Sequence, residues 1–428
     1  MTIPTNMLLD EARLWSELMA LAEITDPDRP HTRRSFSKRF IEGRAYLTAA
    51  FKGAGLSVHV DENGNLVGRL EGTDPDLGTL VIGSHSDTVP DGGRFDGVAG
   101  VVAGLEVARA LKQSGIRLRH SLEIIDCLAE EMSEYGLSCV GSRGLVGELA
   151  PEMLDYRGPK GETLAQAIER VGGQSASITQ TPRRDITAYL ELHIEQGRVL
   201  ESKGLDVGVV TNVVGITRIE IDVTGQSDHA GTTPMDMRRD ALSLAAELAL
   251  EIERLAREIA ARGAGYFVAT TGEFEIMPNA ANVVPGQVRM VLDVRTDVVT
   301  LKDDFVAGLE LAAQRLGSAR EASIEEIRVL SDSAATLFDA ALIEQLQRAT
   351  DHLGLSAIQM PSGAGHDAVF FSRIAPAAMV FVPCRDGRSH CPEEWSEPHQ
   401  ITAGAAVLLE TIFRVDGLSQ TPTENAPE

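Results

Sequence analysis

The sequence predicts an α/β fold in which a mixed, largely parallel sheet is flanked by helices, together with an inserted α+β domain. Three apolar segments with strand character carry His or Glu near their ends: GTLVIGSH, HSLEIIDCLAEE and AYLELHIEQG. A helical segment, GVVAGLEVARALKQSG, lies between the first two, and this order favours parallel pairing with ligands at the carboxyl ends of the strands. Because 428 residues exceed what one core usually reaches, we expect two domains.

The N-terminal region predicts two helices followed by a hairpin. Residues 8–24 and 36–54 carry helical periodicity. The run HVDENGNLVGRLEG alternates apolar and polar residues around an Asn-Gly turn, which is typical of a β-hairpin. We expect these elements to lead into the α/β domain.

Residues 215–330 predict a separate domain with a different order of elements. Strand, helix, strand, strand, helix and strand are predicted by ITRIEIDV, RRDALSLAAELALEIERLAREIAAR, YFVATTGEFEI, QVRMVLDVRT, LKDDFVAGLELAAQRLG and ASIEEIRVL. This βαββαβ order is ferredoxin-like. Strand–helix alternation returns after residue 331. We therefore expect residues 1–214 and 331–418 to form one domain around the insertion, and residues 419–428 to form a frayed tail.

Composition argues against several classes of partner. Lys and Arg total 39 against 63 Asp and Glu, and the formal net charge of -24 would repel nucleic acid and anionic lipid surfaces. The N-terminus has no signal-peptide pattern, and no run of about 18 apolar residues occurs, so we expect no membrane span and a cytoplasmic location. The four cysteines show no CxxC spacing and are expected to stay reduced.

Two polar motifs lie around the end of the first of these strands. His85 and Asp87 are two residues apart, so Asp87 could fix the tautomer of the imidazole. The run GGRFDG, residues 92–97, precedes a helix; its glycines would let the backbone approach metals, and Asp96 could bridge two of them. The alternatives are a histidine in a surface loop and an aspartate that only caps the helix.

Carboxylates and imidazoles also follow the other strands. Glu130 and Glu131 end an apolar strand, and because neighbours on a strand point to opposite sides, one can be a ligand and the other a general base. His193 and His390 supply imidazoles from distant segments, as a site assembled at one sheet edge requires. A solvated acidic turn and structural histidines are the alternatives. Nitrogen and carboxylate ligands without thiolate favour zinc, manganese or cobalt, and two such ions about 3.5 Å apart would polarise a carbonyl.

Seven strings, in this order, carry a resemblance to a known family: GSHSDTVPDGGRFDG, AEE, ELHIEQG, GQSDHAGTTPMDMRRDA, PNAANVVPGQVRMVLDVR, PSGAGHDA and FVPCRDGRSH. Together they resemble the hydantoinase/carbamoylase branch of the aminoacylase and carboxypeptidase superfamily, which includes N-carbamoyl-L-amino-acid hydrolases and allantoate amidohydrolases. The resemblance covers nearly the whole chain. It implies that the first and last segments form a catalytic domain and that the insertion is a lid and dimerisation domain.

The resemblance also implies two divalent metal ions that share one carboxylate, with a glutamate as the base for the attacking water. The residues that it assigns to the metals are His85, Asp96 and His193 for one ion, and Asp96, Glu131 and His390 for the other. It assigns the base to Glu130 and places Asp87 behind His85.

A small-molecule substrate with a carboxylate is the implied partner. The residues assigned to its binding are Gln196, His229, Asn282, Arg295 and Gly365. Arg295 would hold the carboxylate in bidentate fashion. A homodimer through the inserted domain is also implied, in which His229 is offered to the active site of the partner and stabilises the oxyanion.

One segment departs from the family pattern. Met132-Ser133-Glu134-Tyr135 stands where the family usually has Gly-Ser-Arg-Phe, so an arginine becomes Glu134. Reversal of charge close to the site changes which substrate group can be bound there.

The predicted function is metal-dependent hydrolysis of a linear C–N bond in an N-carbamoyl or related N-substituted L-amino acid. An N-acyl-amino-acid amidase or aminopeptidase of the same superfamily is one alternative. A second alternative makes Cys391 the nucleophile with His390 as its base, although adjacent residues rarely present both groups to one atom. The third is a two-domain protein that binds a ligand without reacting.

Overall fold

The computed structural model describes residues 8–418, and the predicted tail at 419–428 lies outside the described residues. The chain divides into two compact units. The described part of the first unit comprises residues 8–211, 338–360 and 366–418, and the second comprises residues 212–337 and 361–365. The functional roles of the predicted domains stay predictions.

Helices and strands alternate along most of the chain. The helices are α1 (Glu11–Ala22), α2 (Lys38–Gly53), α3 (Val98–Ser114), α4 (Val140–Leu145), α5 (Pro151–Leu154), α6 (Leu164–Arg170), α7 (Val199–Lys203), α8 (Ala241–Ala260), α9 (Val299–Arg320), α10 (Ala340–His352), α11 (Ala368–Phe371) and α12 (Pro398–Asp416). The strands are β1 (Ser57–Val60), β2 (Leu66–Leu70), β3 (Thr79–His85), β4 (Ser121–Cys127), β5 (Ile186–Ile194), β6 (Val207–Val213), β7 (Gly215–Thr224), β8 (Asp228–His229), β9 (Phe267–Met277), β10 (Val283–Val284), β11 (Gln287–Thr296), β12 (Ser323–Ser333), β13 (Thr336–Leu337), β14 (Ala357–Ser362) and β15 (Ala377–Val382).

Local signals explain where the first helices begin. Asp10 caps α1 by accepting a hydrogen bond from the backbone of Arg13, and Ser37 caps α2 in the same way through Phe40. The predicted hairpin is present as β1 and β2, which pair antiparallel, and the Asn-Gly dipeptide lies in the connection of residues 61–65.

The main sheet has a parallel centre. Its strand order is β1-β2-β4-β3-β5-β15-β6, with β14 also pairing with β6 and β13 pairing with the last two residues of β6. The neighbours β4, β3, β5 and β15 run parallel, whereas the other pairings with a stated direction are antiparallel. The predicted mixed α/β fold is therefore confirmed. Parallel register aligns His85 with Cys127 and His193 with Phe381, so these strand ends meet at one edge of the sheet.

Helix α3 packs on the central strands and is buried along most of its length. Helices α1 and α12 pack against it, and α10 packs against α12. Together with the inner faces of the strands, these helices enclose the largest apolar core of the first unit. This core fixes the sheet edge, because each of the two central strands β3 and β4 is buried over its whole length.

The second unit contains a separate antiparallel sheet. Its strand order is β12-β7-β11-β9, and helices α8 and α9 pack against each other and cover a core of its own. The pair β8 and β10 adds a short ladder that the sequence did not predict. Among the described residues of both units, no helix is long and apolar enough to cross a membrane.

Candidate metal centre

Two imidazoles lie at the carboxyl edge of the parallel strands. His85 is the last residue of β3, and His193 is the residue before the end of the neighbouring strand β5. The ring centroids are 5.9 Å apart, and each histidine is 1% exposed. The parallel pairing of these strands therefore brings together two imidazoles that are more than 100 residues apart in sequence.

Backbone carbonyls fix the orientation of both rings. Nδ1 of His193 lies 2.9 Å from the carbonyl oxygen of Ile194. Nδ1 of His85 lies 3.0 Å from the carbonyl oxygen of Asp87 and 3.5 Å from its carboxylate. Because Nδ1 of each ring faces a carbonyl oxygen, Nε2 is the nitrogen that faces the site, and it can bind a metal once it carries no proton. Nε2 of His193 also lies 3.1 Å from the backbone N–H of Gly97. We expected the Asp87 carboxylate to fix the tautomer of His85, but its backbone carbonyl makes the closer contact.

Asp96 presents one carboxylate oxygen to each side of the site. Its Oδ1 lies 3.2 Å from Nε2 of His193 and 3.6 Å from Nε2 of His85, whereas its Oδ2 lies 3.1 Å from Nε2 of His390. The alternative that Asp96 only caps a helix is wrong, because the N-cap of α3 is Gly97 and no side chain caps this helix. The placement is the one that a bridging carboxylate requires.

Two groups of three potential ligands share Asp96. The first trio is His85, Asp96 and His193, and the second trio is Asp96, Glu131 and His390. Nε2 of His390 lies 3.3 Å from Oε1 of Glu131. We call the five residues of the two trios the metal cradle. All five predicted metal ligands thus lie together, four of them in loops or at strand ends on one sheet edge and His390 after strand β15.

The metal cradle has the spacing and donor chemistry of a divalent metal site. Ligands bonded to zinc at about 2.0–2.1 Å in a tetrahedron are about 3.3 Å from each other. The four distances from an imidazole nitrogen to a carboxylate oxygen within the two trios are 3.1–3.6 Å. Nitrogen and oxygen donors without thiolate suit zinc, manganese or cobalt. The residues present therefore fit the predicted metals.

We expected Glu130 and Glu131 to point to opposite sides of a strand. Both residues instead lie in a loop after strand β4. Strand β4 ends at Cys127, and Ala129 has a positive φ of 52° that turns the chain before the two glutamates. Oε2 of Glu130 lies 3.6 Å from Nε2 of His85. The backbone N–H of Glu130 donates to the carboxylate of Asp87 over 3.3 Å, so Asp87 orients the loop that carries Glu130.

Burial and neighbouring charges shift the pKa values of the two acidic groups Glu130 and Asp96 in opposite directions. Burial raises the pKa of the Glu130 carboxyl well above its usual range, and the charge of Glu131 adds to the rise. Burial acts in the same direction on Asp96, but hydrogen bonds from His193 and His390 outweigh it and hold the pKa of Asp96 well below its usual range. Hydrogen bonds to Asp96 and Glu131 raise the pKa of His390 to about 11. The cradle thus favours positive charge between its carboxylates, while Glu130 is a stronger base than an ordinary glutamate.

Gln196, predicted to bind substrate, contacts the metal cradle. Its side-chain amide donates to Oδ2 of Asp96 over 2.7 Å and lies 3.4 Å from Nε2 of His390. Its Oε1 is buried and has no hydrogen-bond partner among the described residues. The amide oxygen is therefore available to accept a hydrogen bond from a ligand.

The second unit holds the other predicted substrate residues, which we call the substrate group: His229, Asn282, Arg295 and Gly365. His229 and Asn282 are exposed and lie side by side, because the backbone N–H of Ala230 donates to the carbonyl of Asn282. Nδ1 of His229 accepts from the backbone N–H of Gly231, which leaves Nε2 as the N–H donor.

Arg295 is already bound within the second unit. Its Nε and Nη2 donate to the two carboxylate oxygens of Asp293 over 2.7 and 3.3 Å, and its Nη1 donates to the carbonyl of Gly363 over 2.7 Å. A guanidinium has five N–H groups. Since three are used, two remain for a substrate carboxylate.

Sequence reasoning missed several buried polar residues beside the cradle. Glu191 accepts hydrogen bonds from Ser84, Tyr189 and the backbone N–H of Ala368, and it forms a third potential ligand group with His193 and His366. Alternate positions 189, 191 and 193 of one strand, and the SGAGHD motif, were the available signals. Glu394 and Ser389 were also missed. The glutamate pair of residues 393–394, so similar to the pair at 130–131, was the signal for Glu394.

Comparisons with known proteins agree over most of the chain. The model of Peptidase family M20/M25/M40 matches residues 81–414. The chain is 36% identical over 411 residues to N-carbamoyl-L-amino acid amidohydrolase from Geobacillus stearothermophilus, covering 95% of this chain and 99% of that protein. It is 32% identical over 397 residues to allantoate amidohydrolase from Bacillus subtilis, covering 90% and 92%. A crystal structure of a hydantoinase/carbamoylase family amidase from Burkholderia multivorans is similar with a TM-score of 0.87 and 34% identity, covering 96% of this chain and 99% of that chain.

Proposed function

The chain belongs to the hydantoinase/carbamoylase-type amidohydrolases of Peptidase family M20/M25/M40, and we propose that it hydrolyses the carbamoyl C–N bond of an N-carbamoyl-L-amino acid. The observation that carries the proposal is the placement of a buried glutamate, Glu130, directly beside the metal cradle. The name of the Geobacillus relative supports the carbamoyl substrate. The rival with Cys391 as nucleophile loses support, because the ring nitrogen of His390 is engaged by Asp96 and Glu131.

Two divalent ions are part of the proposal. His85, Asp96 and His193 would hold one, and Asp96, Glu131 and His390 the other. When bound, such ions supply Lewis acidity to the carbonyl and increase the acidity of water. Zinc, manganese and cobalt all suit these ligands.

Glu130 takes the proton of the attacking water in this proposal. Burial raises its pKa and so makes the carboxylate a stronger base, which accepts a proton from the water and returns it to the leaving nitrogen. Attack of water on the carbamoyl carbon breaks the C–N bond, and the overall reaction of one N-carbamoyl amino acid with one water gives the amino acid, carbon dioxide and ammonia. The carboxylate of Asp87 keeps Glu130 in place by accepting a hydrogen bond from the backbone N–H of Glu130.

The roles of the second unit are proposals as well. We propose that the second unit is a ferredoxin-like lid and dimerisation domain. The sheet order β12-β7-β11-β9 with helices α8 and α9 supports the ferredoxin-like topology, and the lid and dimerisation roles rest on the family. Arg295 would bind the substrate carboxylate with its two remaining N–H groups. His229 and Asn282 offer an N–H donor and an amide from one exposed ladder, where they can serve a developing oxyanion.

A substrate panel tests the proposal. Full-length protein is loaded with zinc, manganese or cobalt and assayed for ammonia and free amino acid with N-carbamoyl-L, N-carbamoyl-D and N-acetyl-L-amino acids and with allantoate. We expect ammonia and the L-amino acid in equal amounts from the N-carbamoyl-L series, loss of activity with a chelator, and recovery with metal. Release of amino acid from N-acetyl substrates alone would establish an acyl amidase instead. This alternative is kept because the exposed Glu134 stands where the family usually has an arginine. A fully metallated protein that is inert across the panel would contradict both.

A further inference from the structure

Two segments that are almost 300 residues apart in sequence are fastened together at the metal cradle. The carboxylate of Glu394 is fully buried, and its Oε1 accepts hydrogen bonds from the backbone N–H of Phe95 over 2.7 Å and of Asp96 over 3.1 Å. Nη1 of Arg94 donates to the carbonyl of Pro392 over 3.0 Å. The backbone of Phe95 and Asp96 is therefore tied to the segment that follows His390.

Ser389 ties the same two segments through their side chains. Its hydroxyl lies 2.9 Å from Oδ2 of Asp96 and 2.7 Å from Oε2 of Glu394. Aromatic packing closes the contact, since the ring of Phe95 meets the ring of Trp395 edge-on at 5.6 Å. The Ser389 hydroxyl thus lies between the carboxylate shared by both trios and the carboxylate that holds its backbone.

A glycine makes room for this contact. A Cβ at Gly93 would lie 1.9 Å from the carboxylate carbon of Glu394. We expected the glycines of residues 92–97 to let the backbone approach metals. Gly93 instead gives space to Glu394, and Gly97, where a Cβ would lie 2.3 Å from the ring of His85, gives space to a ligand. Both glycines serve side chains that belong to the site or touch it.

Asp96 needs such support more than the other buried ligands do. His85 and His193 belong to strands and are held by the sheet ladder. Asp96 lies in a connection, two residues before helix α3, and its two oxygens must face different trios at once. Rotation of this carboxylate would remove a ligand from one trio, so its orientation decides whether both are complete.

We propose that Glu394 and Ser389 are positioning residues that hold the backbone and the Oδ2 atom of Asp96, so that one carboxylate completes both trios of the metal cradle. This inference rests on the proposed function, because it assigns these residues to a metal site. Neither residue touches a position where the substrate is proposed to react. They act through Asp96.

Zinc affinity of four variants tests the inference. Full-length protein is freed of metal and titrated with Zn²⁺ against a competing chelator, and thermal unfolding of each metal-free protein is recorded. Ser389→Ala removes the hydroxyl from Asp96, and Glu394→Leu keeps the volume but removes the acceptor of two backbone N–H groups. Glu394→Gln keeps that acceptor and can donate to Ser389. Glu393→Gln changes the exposed neighbouring glutamate, which pairs with Arg388, and is the matched control.

We expect Ser389→Ala and Glu394→Leu to weaken Zn²⁺ binding by about 10- to 100-fold, as is usual for residues that orient ligands. Glu394→Gln should keep most of the affinity, and Glu393→Gln should equal the wild type. The unfolding temperature of metal-free Ser389→Ala should change by no more than about 4 °C. If Glu394→Leu does not fold, Ser389→Ala carries the test alone.

Wild-type affinity in Ser389→Ala and Glu394→Leu would overturn the inference, as would an equal loss in Glu393→Gln. A loss in Ser389→Ala that comes with a larger fall in the metal-free unfolding temperature would show a purely structural role. These results leave the proposed function intact if the wild type binds Zn²⁺ and releases ammonia. A wild-type protein that binds none of Zn²⁺, Mn²⁺ and Co²⁺ would overturn the inference and the proposed function together.

Discussion

The metal cradle of the first unit and the substrate group of the second unit are built in different ways. His85 and His193 are almost fully buried, and backbone carbonyls fix their rings. His229 and Asn282 are both exposed; His229 lies on β8, a strand of two residues, and Asn282 lies in the turn before β10. A metal site needs ligands fixed before the metal arrives, whereas exposed side chains on short strands can be exchanged without disturbing the fold. Changes in the two regions should therefore affect different measured quantities.

The largest effect, on kcat, is expected from substitution of Glu130, the proposed general base in the first unit. Glu130→Gln keeps the size of the side chain but cannot accept the proton of the attacking water, so kcat should fall by about 10²- to 10⁴-fold. Metal content should stay at the wild-type value, because Glu130 belongs to neither trio. Steady-state kinetics and metal analysis of the same sample measure both. Near wild-type turnover in a fully metallated variant would refute the role of Glu130.

A pair of glycines, one in each unit, gives the next largest contrast. Gly93→Ala places a Cβ against Glu394, which must move away from the backbone of Asp96, so Zn²⁺ affinity should fall by about 10- to 100-fold. A Cβ at Gly365 meets nothing within 4 Å, so Gly365→Ala should leave Zn²⁺ affinity unchanged. Zn²⁺ titration against a chelator measures both. Equal affinities in the two variants would show that the space at Gly93 has no part in metal binding.

The same contrast explains what the sequence could and could not predict. Strand periodicity and strand–helix order were sufficient for the parallel centre of the main sheet, and parallel strands bring His85 and His193 to one edge whatever lies between them in sequence. The separation of Glu130 from Glu131 was expected for the wrong reason, since a turn at Ala129 produces it and positive φ at a non-glycine residue leaves no sequence signal. Glu394 was missed because its role depends on a contact with a segment almost 300 residues away. The adjacent glutamates at 393–394 mark a candidate, but no local pattern shows which distant backbone such a carboxylate holds.

Substitution of Arg295 should act on binding alone. Lysine keeps the charge but loses the planar fork that can hold a carboxylate, and a charged hydrogen bond contributes about 1.5–3 kcal/mol, so Arg295→Lys should raise KM at least about tenfold. Zn²⁺ affinity and kcat should stay near the wild-type values. Arg218→Lys is the matched control, because Arg218 lies opposite Asp293 on the neighbouring strand and is exposed. An equal rise of KM in both variants would indicate an effect of charge in general and not of the Arg295 fork.

The smallest effect concerns the stability of the loop that follows Glu130 and Glu131. Tyr135, four residues after Glu131, donates to Glu162 over 2.7 Å, and Arg170 binds the same carboxylate through two hydrogen bonds of 2.8 Å. The hydrogen bonds from Arg170 are the main cause that lowers the pKa of Glu162 to about 2. Because Glu162 is partly exposed, Glu162→Gln should cost no more than about 1 kcal/mol of unfolding free energy at pH 7, or about 2–4 °C.

The pH dependence of the unfolding temperature decides whether loss of the Glu162–Arg170 ion pair causes the fall in stability. A carboxyl whose pKa is lower in the folded protein contributes its full stability above the pKa of the unfolded chain, about 4.3, and loses it as the pH falls through about 2. The difference in unfolding temperature between wild type and Glu162→Gln should therefore be constant above pH 5 and shrink toward pH 2. Glu253→Gln, which breaks an exposed pair with Arg257 on α8 of the second unit, should change nothing measurable. A loss that stays the same from pH 7 to pH 2 would mean that packing of the side chain, and not its charge, holds the loop that carries Tyr135.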